Sequence, residues 1–125
     1  LTINCLIASQ WVIVPTGATP KDLRGVRLFL NTMDEIKPSN PALQLMGILV
    51  TRYEQRLVLH RRALDTLASA NLPVFRVKIG RSIRIAESEE LGQTVFQYDP
   101  HNPRVTEYRE FGNEVMECLS VKAAC

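Results

Sequence analysis

Arginines closely follow an apolar segment in the stretch VKIGRSIRIAESEELG at residues 77–92. Arg81 and Arg84 come directly after Ile79 and Gly80, and acidic residues replace the basic ones a few positions later. A guanidinium keeps its positive charge at physiological pH and presents a fork of N–H donors that matches phosphate oxygens. These residue types therefore predict a site for phosphate groups, either in a nucleotide or in a larger polyanion.

The charge of the chain is unevenly distributed, although the formal net charge is only +2. Residues 52–84 carry a net charge of +6, whereas residues 85–125 carry −5. Such an asymmetry indicates a polyanion-binding surface in the middle of the chain. The alternative is that these arginines form an ordinary solvated rim, because exposed charges are the default on protein surfaces.

Residues for covalent or metal chemistry are scarce in this sequence. It contains no GxSxG, HExxH, CxxC or GxxxxGK[ST] motif. His60 and His101 lack metal-ligand spacing and are expected at the surface, and Cys5, Cys118 and Cys125 are too far apart in sequence for a CxxC site. We predict no catalytic residue and no metal site. The cysteine usage and the short apolar runs favour a cytoplasmic protein without membrane contact.

Three short apolar segments predict the strands that would carry the site. Each is rich in β-branched or other apolar residues and is followed by a polar or Gly-containing loop. The segments are WVIVP at 11–15, LQLMGILVT at 43–51 and VFRVKI at 74–79.

Helical periodicity predicts helices at residues 19–36, at 57–73 and in the C-terminal region from Pro103. Thr19 is the predicted N-cap of the first helix, and Asp22 lies three residues later, where its carboxylate reaches back to a free N–H. The predicted inward faces are Leu23, Val26, Leu30 and Met33 in the first helix, Leu64, Leu67 and Ala68 in the second, and Val105, Tyr108, Phe111, Val115 and Cys118 or Leu119 in the last.

The alternation of strands and helices predicts an α/β fold with a mostly parallel sheet and flanking helices. A hydrophobic content of 46% is enough for one folded domain over residues 1–125. Three strands alone would leave an apolar sheet edge uncovered, so we expect the sheet to be incomplete.

Loops that follow parallel strands meet at the carboxyl edge of the sheet, where α/β proteins bind their ligands. Here these loops are residues 15–19, 51–56 and 80–84. The arginines of the opening stretch are therefore expected beside a phosphate or nucleobase site. Gly80 has a simpler explanation as a turn residue that needs positive φ.

Several segments in the correct order carry a resemblance to a known family. GILVTRYEQR at 47–56 ends in an acidic residue, one spacer and an arginine, and VIVPT and DLRGV precede it. In KIGRSIRIAESEELGQTVFQYDP at 78–100, the matching positions are Arg81, Glu87, Gly92, Tyr98, Asp99 and Pro100. Over residues 1–119 the chain resembles the C-terminal half of ParA-type DNA partition ATPases, a deviant P-loop family that includes Soj- and MinD-like proteins.

The resemblance implies a P-loop NTPase-like fold that is incomplete without an N-terminal half. It further implies that Ile79 and Gly80 line the adenine of ATP with Thr51 and Arg52 nearby. In this family ATP and Mg²⁺ bind the full-length protein, so tight binding to this chain alone is not expected.

The resemblance also implies nonspecific DNA binding through Arg56, Arg81 and Arg84. Further expectations are an ATP-bound homodimer, a ParB-like partner protein and a nucleoid-associated cytoplasmic location. The expected function is plasmid or chromosome segregation.

Two departures from the family pattern affect these expectations. Gly80 stands where the family usually has proline, which predicts a looser loop at the adenine site. The phosphate loop is absent from the 125 residues, so we expect no ATP hydrolysis by the chain alone. The alternative function is a truncated, non-enzymatic paralogue that binds DNA or interferes with dimerisation.

Overall fold

The computed structural model describes residues 1–123, in which two parallel strands are surrounded by helices. The side chains of Lys122 and Ala123 lie outside the description. The elements are α1 (Thr2–Ala8), β1 (Trp11–Thr16), α2 (Pro20–Ile36), β2 (Gln44–Val50), α3 (Val58–Ser69), α4 (Ile83–Glu90), α5 (Val95–Tyr98) and α6 (Pro103–Ala123).

The two strands pair in parallel, and β2 also contacts a third extended segment at residues 73–80. The pairing of β1 with β2 runs from Trp11 opposite Gln44 to Thr16 opposite Val50, with one irregularity after Val12. The predicted α/β class with a parallel sheet and flanking helices is confirmed.

The prediction of a continuous strand at residues 74–79 is wrong. The segment touches β2 only at its two ends, where Phe75 N–H donates to Ile48 O and Ile79 N–H donates to Val50 O. The segment advances four residues, from Phe75 to Ile79, while β2 advances only two, from Ile48 to Val50. The residues between Phe75 and Ile79 therefore bulge away from the sheet. The N–H of Arg76 donates instead to the Glu114 carboxylate of α6, at 2.9 Å to Oε2.

Helices cover both faces of the small sheet. On one face, α2 and α3 bury a cluster around Ile48, which is fully buried, together with Val26 and Leu67. On the other face, α6 packs Tyr108, Phe111, Val115, Cys118 and Leu119 against Met46, Leu49, Phe75 and Ile79. This confirms the predicted inward face of the last helix.

Local sequence signals determine where α2 begins and which side it buries. Thr19 accepts the N–H of Asp22, and the Asp22 carboxylate accepts the N–H of Thr19, as the predicted capping box requires. The predicted face is also confirmed, because Val26 and Met33 are buried and Leu23 and Leu30 pack against the core.

In α3 the predicted inward face is partly wrong. Leu67 is buried and Leu64 is half-buried, but Ala68 is exposed. Ala63 takes the inward position instead, at 5% exposure. Residues 63 and 67 are four apart and therefore lie on the same side of the helix.

The three short helices α1, α4 and α5 were not predicted from the sequence. In α1 the side-chain amide of Asn40 donates to Leu6 O and Ser9 O at the C-terminal end, and this partner is distant in sequence. Ser82 caps α4 by accepting the N–H of Arg84, and Thr94 forms a capping box at α5.

Among the described residues 1–123, no helix is long and apolar enough to cross a membrane.

Gly47 provides a test of the packing between β2 and the third segment. A Cβ at this buried position would lie 2.8 Å from Cε2 of Phe75, a ring that is itself buried against Phe111 in an edge-to-face pair. We predict that Gly47→Ala lowers the free energy of unfolding by roughly 1–3 kcal/mol, as overpacking does in other cores. Urea denaturation followed by circular dichroism measures this change.

Gly25→Ala is the matched control for this experiment. Gly25 lies within α2, and a Cβ there would have no atom within 4 Å. Alanine has a higher helix propensity than glycine, so this variant should gain up to about 1 kcal/mol. Equal urea midpoints for Gly47→Ala and the wild-type protein would contradict the proposed tight contact.

Candidate functional site

The loops after β1, β2 and the third segment meet at the carboxyl edge of the sheet, as predicted. Thr51 donates its N–H to Thr16 O at 2.8 Å, and Tyr53 donates its N–H to Ile79 O at 3.0 Å. These bonds tie the three loops together. A cleft of about 430 Å³ opens there, lined by Gly17, Ala18, Thr19, Asp22, Arg52, Glu54, Leu57, His60 and Arg81.

Asp22 and Arg52 line this cleft next to Gly17. The Oγ1 of Thr19 donates to the Asp22 carboxylate at 2.7 Å. This hydrogen bond lowers the pKa of Asp22, with a smaller contribution from the charge of Arg52, while desolvation opposes the shift. A Cβ on Gly17 would collide with the Asp22 carboxylate, so glycine permits the close approach of these groups. Arg52 adopts a φ of 51°, a left-handed conformation that is unusual for arginine.

Glu54 lies between two of the predicted DNA-binding arginines. Its carboxylate is 3.4 Å from Arg56 Nη2 and 3.7 Å from Arg81 Nη1. The Glu54 side chain is 19% exposed, whereas those of Arg56 and Arg81 are 82% and 73% exposed. The carboxylate therefore holds both guanidinium groups together while leaving most of their surface open to solvent.

His60 forms a hydrogen bond with the backbone of Glu54. The N–H of Glu54 donates to His60 Nδ1 at 3.0 Å, and the imidazole is half-buried beside Tyr53. The expectation that His60 lies at the surface holds only in part, because its half-buried ring borders the cleft and accepts a backbone N–H of the 53–56 loop. In the described part of the chain, no cluster of three His, Cys, Asp or Glu residues could hold a metal ion.

Arg84 occupies a different environment from Arg56 and Arg81. Its guanidinium lies 3.4 Å from Glu87 and 4.0 Å from Asp99, and Tyr98 OH donates to Glu87 at 2.8 Å. Hydrogen bonding to Tyr98 and the charges of Glu87 and Asp99 raise the pKa of Arg84. Three positions of the family motif thus form one polar network that joins α4 to α5.

Gly80 contacts two residues of α6, Arg104 and Glu107, that were not predicted from the sequence. The N–H of Gly80 donates to Glu107 Oε2 at 2.8 Å, and Glu107 also pairs with Arg104 at 2.8 Å. The guanidinium of Arg104 covers Gly80 so closely that a Cβ would collide with its Nη1 atom. Arg104 Nε is buried in this cluster without a hydrogen-bond partner. The i, i+3 spacing of residues 104 and 107 was the available sequence signal.

The expectation that Gly80 adopts a positive φ is wrong. Among residues 1–123, the positive φ values belong to Arg52, Asn71 and Gly92, so Gly80 is not a turn residue with positive φ. The looser loop expected from the absence of proline stays a prediction. The glycine N–H makes a bond to Glu107 that proline cannot make, because proline has no N–H.

The four residues predicted to bind the nucleobase do not line one cavity. Thr51 and Arg52 border an open cleft of about 480 Å³ between β1 and α2. Ile79 is only 2% exposed, and Gly80 lies beneath Arg104. In this conformation Thr51 and Arg52 therefore border open space, and Ile79 and Gly80 do not. A contact to Gly80 requires Arg104 to move first.

Only two of the three predicted DNA-binding arginines line the same cleft. Arg56 and Arg81 line a shallow cleft of about 640 Å³ together with Arg104, Tyr53, Glu54, Gln55, Ser82 and Ile83. Arg84 does not line this cleft. It lies at the first turn of α4, next to Ser82.

Known proteins match this chain over most of its length. It is 39% identical over 118 residues to the chromosome-partitioning ATPase Soj of Thermus thermophilus, which covers 93% of this chain and 47% of that protein. It is 29% identical over 119 residues to the chromosome partitioning protein ParA of Myxococcus xanthus, covering 94% of this chain and 42% of that protein. The chain is thus similar to Soj/ParA-type proteins over most of its own length. The resemblance stated from its motifs is confirmed.

Solved structures agree with this assignment. A crystal structure of cobyrinic acid a,c-diamide synthase from Mycobacterium smegmatis aligns with a TM-score of 0.71 at 30% identity, covering 92% of this chain and 41% of that chain. The same protein with a bound ATP analog and magnesium aligns with a TM-score of 0.58 at 37% identity, covering 65% and 34% of the two chains. No family model matches the sequence. The chain spans less than half the length of these relatives.

The contact between Gly80 and Arg104 can be tested by a double-mutant cycle. We predict that Gly80→Ala destabilises the protein by roughly 1–3 kcal/mol, because the new methyl group displaces Arg104 from its place over the loop. In an Arg104→Ala background the same change should cost much less. Urea unfolding of the four proteins gives the coupling energy.

Gly112→Ala serves as the control for this cycle. Gly112 lies on the same helix as Arg104, and a Cβ there has no atom within 4 Å. Its effect should add to that of Arg104→Ala within experimental error. Additive effects for the Gly80 and Arg104 pair as well would show that the guanidinium does not restrict residue 80.

Proposed function

We propose that this chain is the DNA-facing and nucleobase-side part of a ParA/Soj-type partition ATPase that segregates plasmids or chromosomes. The observation that carries the proposal is the convergence of Arg56 and Arg81 on Glu54 at the carboxyl edge of the sheet. The similarity to chromosome-partitioning proteins supports it.

The arrangement of the two arginines suits contact with a phosphate backbone. Both guanidinium groups are mostly exposed, and they border the same cleft. Phosphate oxygens would replace the carboxylate of Glu54 as the hydrogen-bond acceptors of these groups. Electrostatic contact with phosphates needs no base-reading element, so the contact would depend on charge and not on sequence. Arg84 would extend the same surface along α4.

The nucleotide would lie on the other side of the carboxyl edge. Thr51 and Arg52 border the cleft there, and a structure of a related protein contains an ATP analog and magnesium. In our proposal these two residues approach the base, and Ile79 and Gly80 contact it once Arg104 has moved. ATP would supply the phosphoryl group whose hydrolysis ends the DNA-bound state. We assign no catalytic residue to the 125 residues, because they contain no phosphate loop.

The proposal includes the assembly of the protein. ATP would favour a homodimer that coats nucleoid DNA in the cytoplasm, and a ParB-like partner would stimulate hydrolysis. Dimerisation doubles the number of arginines that face one duplex, and this raises the affinity through multivalency.

A second candidate is a non-enzymatic DNA-binding protein of the same fold that can interfere with the dimers of a relative. The net charge of +6 in residues 52–84 favours it, because that charge acts without a nucleotide. The two candidates differ in one measurable property. Binding to DNA depends on ATP in the first and is independent of ATP in the second.

The first test is the salt dependence of DNA binding by the full-length protein with ATP. We predict that Arg56→Ala and Arg81→Ala each weaken binding to a random-sequence duplex and to other sequences alike. Each variant should reduce the slope of log affinity against log salt concentration by about 1, because one phosphate contact is lost. Fluorescence anisotropy of a labelled duplex measures both quantities.

Arg109→Ala is the matched control. Arg109 is also exposed, but it lies on α6 over the ring of Phe96, away from the cleft. This variant should retain the wild-type slope. Wild-type slopes for Arg56→Ala and Arg81→Ala would refute the assignment of this cleft to DNA.

Glu54 gives a test with the opposite sign. Because its carboxylate competes with phosphate for Arg56 and Arg81, Glu54→Gln should strengthen DNA binding by about two- to fivefold at low salt. Glu110→Gln removes the same charge from the exposed surface of α6 and should have a smaller effect. Equal gains in the two variants would mean that only the net charge matters.

A further inference from the structure

A groove between α2 and α3 forms a second basic surface, separate from the cleft with Arg56 and Arg81. It has a volume of about 400 Å³ and lies on the outer side of these two helices. Its apolar part consists of Leu23, Leu59 and Ala63. The remaining lining residues are Pro20, Arg24, Arg27, Arg62 and Thr66.

The three arginines of this α2–α3 groove differ from the other arginines near the carboxyl edge. Arg24, Arg27 and Arg62 are exposed, and none of them forms an ion pair within residues 1–123. No acidic side chain lines the groove. Each of the following arginines, in contrast, lies within 4 Å of a carboxylate: Arg56, Arg76, Arg81, Arg84 and Arg104. The positive charge of the groove is therefore uncompensated.

The floor of the groove is apolar and open to solvent. Leu59 is 46% exposed. Leucine side chains at this exposure gain free energy when a partner covers them. A surface that combines an apolar floor with free guanidinium groups on both sides offers two kinds of contact to the same ligand.

We propose that the α2–α3 groove binds an acidic amphipathic helix of a partner protein. Apolar residues of such a helix at i, i+3, i+4 and i+7 would cover Leu59 and Leu23, and the carboxylates on either side would pair with Arg24, Arg27 and Arg62. The proposal does not depend on the function proposed above, because the groove shares no residue with the DNA cleft.

Other occupants fit the groove less well. A nucleic acid would use the arginines, but its phosphates would leave the exposed leucine uncovered. A second copy of this chain offers the acidic helix α6, yet its carboxylates are largely engaged. Glu107 pairs with Arg104, and both Glu114 and Glu117 pair with Arg76. An external acidic helix satisfies both the charge and the apolar floor.

The test uses the full-length protein and a fluorescein-labelled synthetic peptide of about 18 residues, which makes five helical turns. The peptide carries leucine along one helical face and glutamate elsewhere. We expect it to bind at low ionic strength, and a scrambled peptide of the same composition to bind several times more weakly. Arg24→Gln combined with Arg27→Gln should weaken binding by about five- to tenfold, since two exposed ion pairs are lost. Leu59→Ser should also weaken it.

The control protein combines Lys37→Gln with Arg109→Gln, which removes the same charge away from the groove. Its affinity for the peptide should stay within about twofold of the wild type. Equal binding of the ordered and scrambled peptides would overturn the proposal, as would equal losses in the groove variant and the control. A groove variant that loses affinity for duplex DNA and not for the peptide would assign the surface to nucleic acid. Peptide binding that disappears when the protein self-associates would assign it to a second copy.

Discussion

Two carboxylates of α6 accept backbone N–H groups of the third extended segment that do not bond to β2. Glu114, which is only 8% exposed, accepts the N–H of Arg76, and Glu107 accepts the N–H of Gly80. A buried N–H without an acceptor costs roughly 1–3 kcal/mol, so the bulge at residues 76–78 is tolerable only because α6 supplies these acceptors. The position of the loop that carries Arg81, and hence the geometry of the cleft lined by Arg56 and Arg81, depends on this contact.

The arrangement of charge separates the arginines into two groups with different behaviour. Arg56, Arg81 and Arg84 each have a carboxylate neighbour, so a ligand must exchange one acceptor for another and gains little from each contact. Arg24, Arg27 and Arg62 have no such neighbour in the described residues, so a ligand there meets no competitor. The first arrangement suits weak and reversible binding to a long polymer. The second suits a discrete partner.

Features encoded by neighbouring residues were predictable from the sequence. The capping box of Thr19 and Asp22 involves positions three apart, and the apolar face of α2 repeats at helical spacing, so both followed from local rules. The gathering of the loops at one sheet edge followed from parallel topology. The short helix α4 was not predicted, although Ser82 was a visible cap, because residues 80–84 were predicted to form a loop.

Features that depend on distant partners were not predictable. The bulge in the third segment needs Glu114, which lies 38 positions from Arg76. The cover over Gly80 comes from Arg104. Charge alone also suggested that the arginines of residues 52–84 form one surface, whereas Arg62 faces a separate groove with two arginines of α2. Sequence spacing carries no information about such contacts, so the meeting of the loops at the sheet edge was predictable but the contacts among their side chains were not.

The contact of Gly80 with Arg104 and Glu107 also constrains how this sequence can diverge. A proline at position 80 has neither the N–H that Glu107 accepts nor the space beneath Arg104. A change from glycine to proline would remove the N–H that the partly buried Glu107 carboxylate accepts and would push against the Arg104 guanidinium. The three positions are therefore expected to change together during evolution. Relatives with proline at this loop should carry a different pair of residues on the first turns of the last helix.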